Sequence, residues 1–110
     1  MLQIKQIVVA LVMSLAMGMV FAGGDAVEGK EKSGICAGCH GTDGNSTTAI
    51  FPKLAGQYST YLEKALHDYQ TGARKDATMS GMAQPLSEQD IKDLAAYYAE
   101  QKGLTVVTER

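Results

Sequence analysis

Apolar residues recur at helical spacing in two stretches of the chain. Tyr58, Tyr61, Leu62, Ala65, Leu66 and Tyr69 follow a 3.6-residue period and predict an amphipathic helix over 59–70. Ser59 stands at its expected cap and Gly72 at its expected stop. Most of these apolar positions read as ordinary core. Ile91, Leu94, Ala95, Tyr97 and Tyr98 repeat the pattern behind Ser87 and Asp90, which form a capping box with Asp in place of the usual Glu. That last helix runs about four turns, to Lys102 and Gly103. A further segment, 25–35, is helical by composition, with Asp25 as its cap. Gly29 and Gly34 interrupt it at about 1 kcal/mol each. Both read as places where a missing side chain lets another helix cross closely. No strand pattern or internal repeat is present, so the expected fold class is all-α.

Between these helices the pattern breaks. Residues 41–46 hold Asp-Gly and Gly-Asn pairs that mark turns. Residues 47–56 lack a period and contain Pro52, a loop in which Ile50, Phe51 and Leu54 are the side chains able to pack on something flat and apolar. Residues 75–85 read as irregular and carry Met79 and Met82; no assignment is made for 104–110.

Residues 1–22 belong to a different class of segment. Lys5 precedes an apolar run from 7 to 20, and Val20-Phe21-Ala22 ends it with small residues where a signal peptidase reads. The run is short for a membrane span. The expectation is a secretory signal peptide cleaved after Ala22, a single domain over 23–110, and a periplasmic location. Losing Lys5 moves the net charge from −2 to −3, so the basic face that nucleic-acid binding requires is missing. The mature segment has no Trp and one Phe, and a domain this small needs a staple such as a disulfide, a metal or a cofactor.

The candidate staple is Cys36-Ala37-Gly38-Cys39-His40, a C-x-x-C-H haem attachment pattern. On one helical turn the two thiols share a side and can each add to a porphyrin vinyl group, and His40 then lies under the iron as an axial ligand. A disulfide between Cys36 and Cys39 would close too small a loop to stabilise much. A zinc site would have to combine Cys36, Cys39, His40 and His67, yet neighbouring side chains on a helix diverge by about 100°. A thiol oxidoreductase calls for strands beside the motif, and none are seen. For the second axial position the candidates are Met79, Met82 and His67. His67 lies beside its helix's apolar stripe and reads as solvated, whereas either methionine can present a thioether from its loop.

The motifs Cys36–Gly41, 51–57, Met79-Ser80-Gly81-Met82 and 86–90 together resemble a bacterial class I cytochrome c. The similar types are small single-haem cytochromes of the c-553 kind and one domain of the dihaem cytochrome c4. The likeness covers nearly all of 23–110, and only one C-x-x-C-H is present, so it implies one haem c and one iron. It further implies axial ligation by His40 and Met79, with Met82 as the fallback and otherwise haem-edge packing. Pro52 matches the proline whose carbonyl accepts the ligand histidine's other N–H, and Leu54 belongs to the haem packing. Gly29 and Tyr97 match a close crossing of the first and last helices. The implied function is an electron shuttle between redox proteins (a membrane oxidase, a reductase or other cytochromes), with no substrate turned over and a monomer or weak dimer as the unit. Two other classes share the cofactor: a haem subunit of an oxidase or peroxidase, with an open sixth position, and a sensor whose methionine a gas displaces.

Overall fold

Five helices and no strand make up residues 23–104, the part of the chain that the computed structural model describes. They are α1 (Ala26–Lys32), α2 (Gly34–His40), α3 (Ser59–Thr71), α4 (Ala77–Ala83) and α5 (Glu88–Glu100). The signal expected over 1–22 and most of the C-terminal tail lie outside the described residues. No helix among them is long and apolar enough to cross a membrane.

Side chains cap three of the five helices. Asp25 accepts from the Val27 amide at 2.9 Å and caps α1 as its sequence predicts. The segment expected as one helix over 25–35 is split at Ser33, whose hydroxyl turns back to donate to the Lys30 carbonyl at 2.7 Å. The capping box of α5 is complete: the Asp90 amide donates to Ser87 Oγ at 3.0 Å and the Ser87 amide to Asp90 Oδ2 at 2.9 Å. Gly72 ends α3 in the left-handed region, at φ 82°. Ser59 departs from its expected role. Tyr58 occupies the cap position, without a side-chain bond, and Ser59 is the first helical residue.

The stretch 75–85 is not irregular, because it holds α4. Asp76 accepts from the Met79 amide at 2.9 Å and caps it. Side-chain amides then fasten α4 to the end of α3. Gln70 donates to the carbonyls of Ala83 and Leu86, both at 2.8 Å, and Gln84 donates to the Gln70 carbonyl at 2.9 Å. Gly81 and Pro85 hide a helix of only about two turns from a reading based on period, and these polar ties supply what propensity does not.

Packing is tightest where α1 crosses α5. A Cβ on Gly29 would sit 2.0 Å from the Asp93 carbonyl oxygen and 2.8 Å from Tyr97 Cβ, so any side chain there pushes the helices apart. Gly34 lacks this role, since a Cβ there would meet nothing within 4 Å. Around the crossing, Leu62, Leu94, Ala95, Tyr97 and Tyr98 form the buried cluster, with Ala26, Cys36, Leu54 and Leu86 packed against it. Tyr97 reaches out of it to donate its O–H to the Thr42 carbonyl at 2.8 Å. Ile50 was expected to pack but is 79% exposed. Its backbone belongs to a turn that runs along the surface.

A buried charge locks the same crossing. Asp93 is 2% exposed and accepts from the Asp25 amide at 2.8 Å, Gln89 at 2.7 Å and Lys32 at 2.6 Å. Lys32 also pairs with Asp90 at 3.0 Å. Burial pushes the Asp93 carboxyl up, but the three donors outweigh it and hold the carboxyl below its ordinary value. A depressed folded-state pKa means that the contribution is complete above the unfolded value of about 3.9 and is lost as pH falls through the folded one. Asp93→Ala leaves the Asp25 amide and Gln89 without their acceptor and Lys32 with Asp90 alone, and should cost about 3 kcal/mol in urea denaturation of the intact protein at neutral pH. Asp93→Asn should flatten the fall of stability below pH ~4. An unchanged acid limb would show that other carboxylates govern it.

Candidate functional site

Helix α2 carries three reactive side chains within five residues. Cys36 is half-buried against the core, Cys39 is exposed, and both are free thiols. His40, the last residue of α2, is 6% exposed. Its Nδ1 lies 2.8 Å from the Pro52 carbonyl oxygen. A carbonyl can only accept, so Nδ1 carries the proton and the Nε2 lone pair is left for a metal.

That carbonyl is held by a braced loop. The amides of Leu54 and Ala55 donate to the Gly44 carbonyl at 2.8 and 3.2 Å. The Gly56 amide donates to the Tyr98 carbonyl at 3.0 Å, and the Leu104 amide to the Ala55 carbonyl at 2.8 Å. The loop that aligns the imidazole is therefore tied to α5 and to the segment that follows it.

Beside His40 opens a mostly apolar cleft of about 890 Å³, a volume that takes in open solvent at its mouth. Cys36, His40, Pro52 and Leu54 form one side of it, and Leu94, Ala95 and Tyr98 of α5 form another. Tyr61, Leu62, Ala65, Leu66 and Tyr69 of α3 also face it, together with Met79 of α4. The α3 stripe, expected as ordinary core, is thus cleft wall; of these side chains only Leu62 is buried. The 3.6-residue period reports a face turned away from water but not what covers it. Met82 is 46% exposed and lies outside the cleft wall. His67 is also outside it and sits 3.1 Å from Glu88 on the surface.

Two cleft residues were not singled out from the sequence. Arg74 places its guanidinium 4.9 Å from the centre of the Tyr69 ring and 3.4 Å from the Tyr61 hydroxyl. It forms no salt bridge among the described residues. A lone arginine in a polar loop gives no periodic signal. Tyr98 was assigned to the core by its spacing, which says nothing about its hydroxyl. Burial pushes that hydroxyl's pKa well above the ordinary phenol value, and burial likewise pushes the Cys36 thiol up.

The donor set decides what fits. No cluster of three His, Cys, Asp or Glu residues suited to a metal ion occurs among the described residues. Instead an imidazole nitrogen and a thioether sulfur share an apolar cleft, with two thiols on the helix at its edge. Hard cations require oxygen ligands. Imidazole and thioether suit iron held in a macrocycle, and thiols suit covalent attachment of its rim.

Comparison with known proteins agrees with this chemistry. The family model for cytochrome c matches residues 26–101. Cytochrome c4 of Pseudomonas aeruginosa is 46% identical over 99 residues, covering 89% of this chain and 49% of that protein. Cytochrome c-554(548) of Halomonas halodenitrificans is 50% identical over 82 residues, covering 72% of this chain and 99% of that one. The crystal structure of reduced cytochrome c4 from Pseudomonas stutzeri superposes with a TM-score of 0.70 at 48% identity, over 74% of this chain and 47% of that one. The chain spans about half the length of the cytochrome c4 relatives that it matches. The all-α arrangement is the class I cytochrome c fold.

Left unfilled, this apolar cleft costs its lining both packing and burial, in a domain too small to make up the loss elsewhere. The Cys36→Ala, Cys39→Ala double variant, purified free of prosthetic group, should therefore melt without a cooperative transition and show reduced helical circular dichroism. A sharp melt with full helix content would mean that the protein shell stands alone.

Proposed function

The chain belongs to the cytochrome c family, and from that premise we propose that it is a single-haem electron carrier of the periplasm. Family membership brings a covalently bound c-type haem, which stores and releases one electron as its iron alternates between Fe(II) and Fe(III). What remains is the work assigned to this chain's residues. Cys36 and Cys39 hold the cofactor through thioether bonds. His40 Nε2 would hold the iron, with the Pro52 carbonyl fixing its tautomer and raising its basicity. Met79 would supply the second protein ligand, and a thioether there would favour the reduced iron. Leu54 and the apolar faces of α3 and α5 keep water from the metal. Arg74 and Tyr61 bring positive charge and a hydroxyl to the cleft wall and would suit the cofactor's carboxylates as partners.

The observation that carries this reading is the composition of the cleft wall: His40 and Met79 line it, whereas Met82 and His67 do not. With both His40 and Met79 holding the iron, no coordination position would be left for a substrate, so the reading is a carrier and not an enzyme. Its partners are redox proteins, such as a membrane oxidase, a reductase or another cytochrome, met through weak and transient contacts. No nucleic acid or small-molecule substrate is involved, and the unit is a monomer or weak dimer. Residues 1–22 act as the export signal that delivers it, cleaved after Ala22, and 23–110 form the cytochrome domain.

Absorption spectra of the reduced protein with and without carbon monoxide test the closed site. The parent should be unaffected by the gas; a bound-gas spectrum would favour a sensor or an oxidase-type subunit. Met79→Ala should keep its haem through Cys36 and Cys39, bind carbon monoxide, lose the weak near-infrared-edge band of ferric iron–methionine bonding, and have a lower midpoint potential. Met82→Ala should behave as the parent does. The reverse pattern would move the axial role to Met82.

A further inference from the structure

Tyr98 carries a polar group in the cleft wall whose hydrogen bonding is left open. The residue is 3% exposed, and its hydroxyl is buried with no partner among the described residues. An unpaired buried hydroxyl forfeits its hydration with nothing in return. Native structures seldom keep one without a reason.

The surroundings narrow the choice of partner. Tyr98 belongs to the buried cluster with Leu62, Leu94 and Ala95, and Cys36 packs against that cluster. Tyr98 and Cys36 both line the cleft. Ser33, the other nearby hydroxyl, donates to the Lys30 carbonyl at 2.7 Å and, unlike Cys36, does not line the cleft. The Thr42 carbonyl, which satisfies the neighbouring Tyr97 hydroxyl, does not line the cleft. Sulfur is a weak acceptor as a thiol and remains one as a thioether.

We propose that Tyr98 is a positioning residue for the redox centre, whose hydroxyl donates to the Cys36 sulfur once that sulfur is bonded to the cofactor. The proposal rests on the carrier reading above. No bond is broken in it, and no electron moves. Donation draws density from a sulfur attached to the macrocycle's rim, which favours the electron-richer reduced state, as hydrogen bonds around a metal centre do. Cys39 is exposed and does not line the cleft, so it has no equivalent contact. The two covalent links are therefore electronically unequal.

Tyr98→Phe in the haem-loaded chain removes one oxygen and keeps the ring. Its midpoint potential, measured by spectroelectrochemical titration, should fall below the parent's while the iron–methionine band stays in place. Tyr97→Phe is the control, because it loses a hydroxyl bonded to Thr42 away from the cleft and should leave the potential unmoved. A Tyr98→Phe potential equal to or above the parent's overturns the assignment, and so does an equal fall in Tyr97→Phe. A second measurement uses the parent alone. Resonance Raman spectra in water and heavy water should show one of the two carbon–sulfur bands shifting; if neither shifts, the proposal fails. A parent chain that retains no haem on a denaturing gel overturns the carrier reading, and this assignment with it.

Discussion

The close approach of α1 to α5 at Gly29 is the constraint on which the other positions depend. With backbone where a side chain would be, the first helix lies directly on the carbonyl of Asp93. Ser33 keeps a helical-region backbone at φ −75° and ψ −5°, so α1 leads straight into α2, which carries Cys36, Cys39 and His40. The same contact fixes the other partner, because Leu94, Ala95 and Tyr98 lie within a turn and a half of Asp93 on α5. Two walls of the cleft are thus set by one crossing. The Asp93 carboxylate guards it, since its three donors come from both sides of the contact.

The remaining walls are attached by other means. Helix α3 contributes only Leu62 to the buried cluster and turns most of its apolar surface to the cleft. Helix α4 is joined to α3 by amide side chains, and this linkage places Met79 in the cleft wall. A chain with so few buried side chains directs much of its apolar surface at the cofactor, so much of the burial that stabilises it must come from cofactor binding. The economy explains how a domain without tryptophan can hold a fold.

Much of this was legible from residue types. The caps at Asp25 and Ser87, the stop at Gly72 and the role of Gly29 are local effects, and local sequence carries them. The haem motif is legible because its chemistry requires fixed spacing. The cap at Ser59 was misplaced by one residue, since Tyr58 and Ser59 compete for the position and only backbone geometry decides. Helix α4 was missed because a seven-residue segment held by side chains from elsewhere has no period to detect. Gly34 was misread because a glycine's sequence cannot show whether anything approaches it. The α3 stripe was read as core because a period gives the direction of an apolar face and not the identity of what meets it. Tyr98 illustrates a further limit: spacing found the ring, and only coordinates reveal that its oxygen is unsatisfied.

The brace behind Pro52 has a consequence for the end of the described chain. Beyond α5, Leu104 donates to Ala55, and the Lys102 carbonyl accepts from Asn45 Nδ2 at 2.7 Å. These bonds steady the turn and the loop on either side of the carbonyl that orients His40. The four residues after Glu100 are therefore part of the imidazole's mounting, although none of them approaches it. An exopeptidase that trimmed the polypeptide back to Glu100 would leave every cleft side chain in place and still slacken the histidine. Affinity tags and fusion junctions at this end belong beyond Leu104, where they leave that mounting intact.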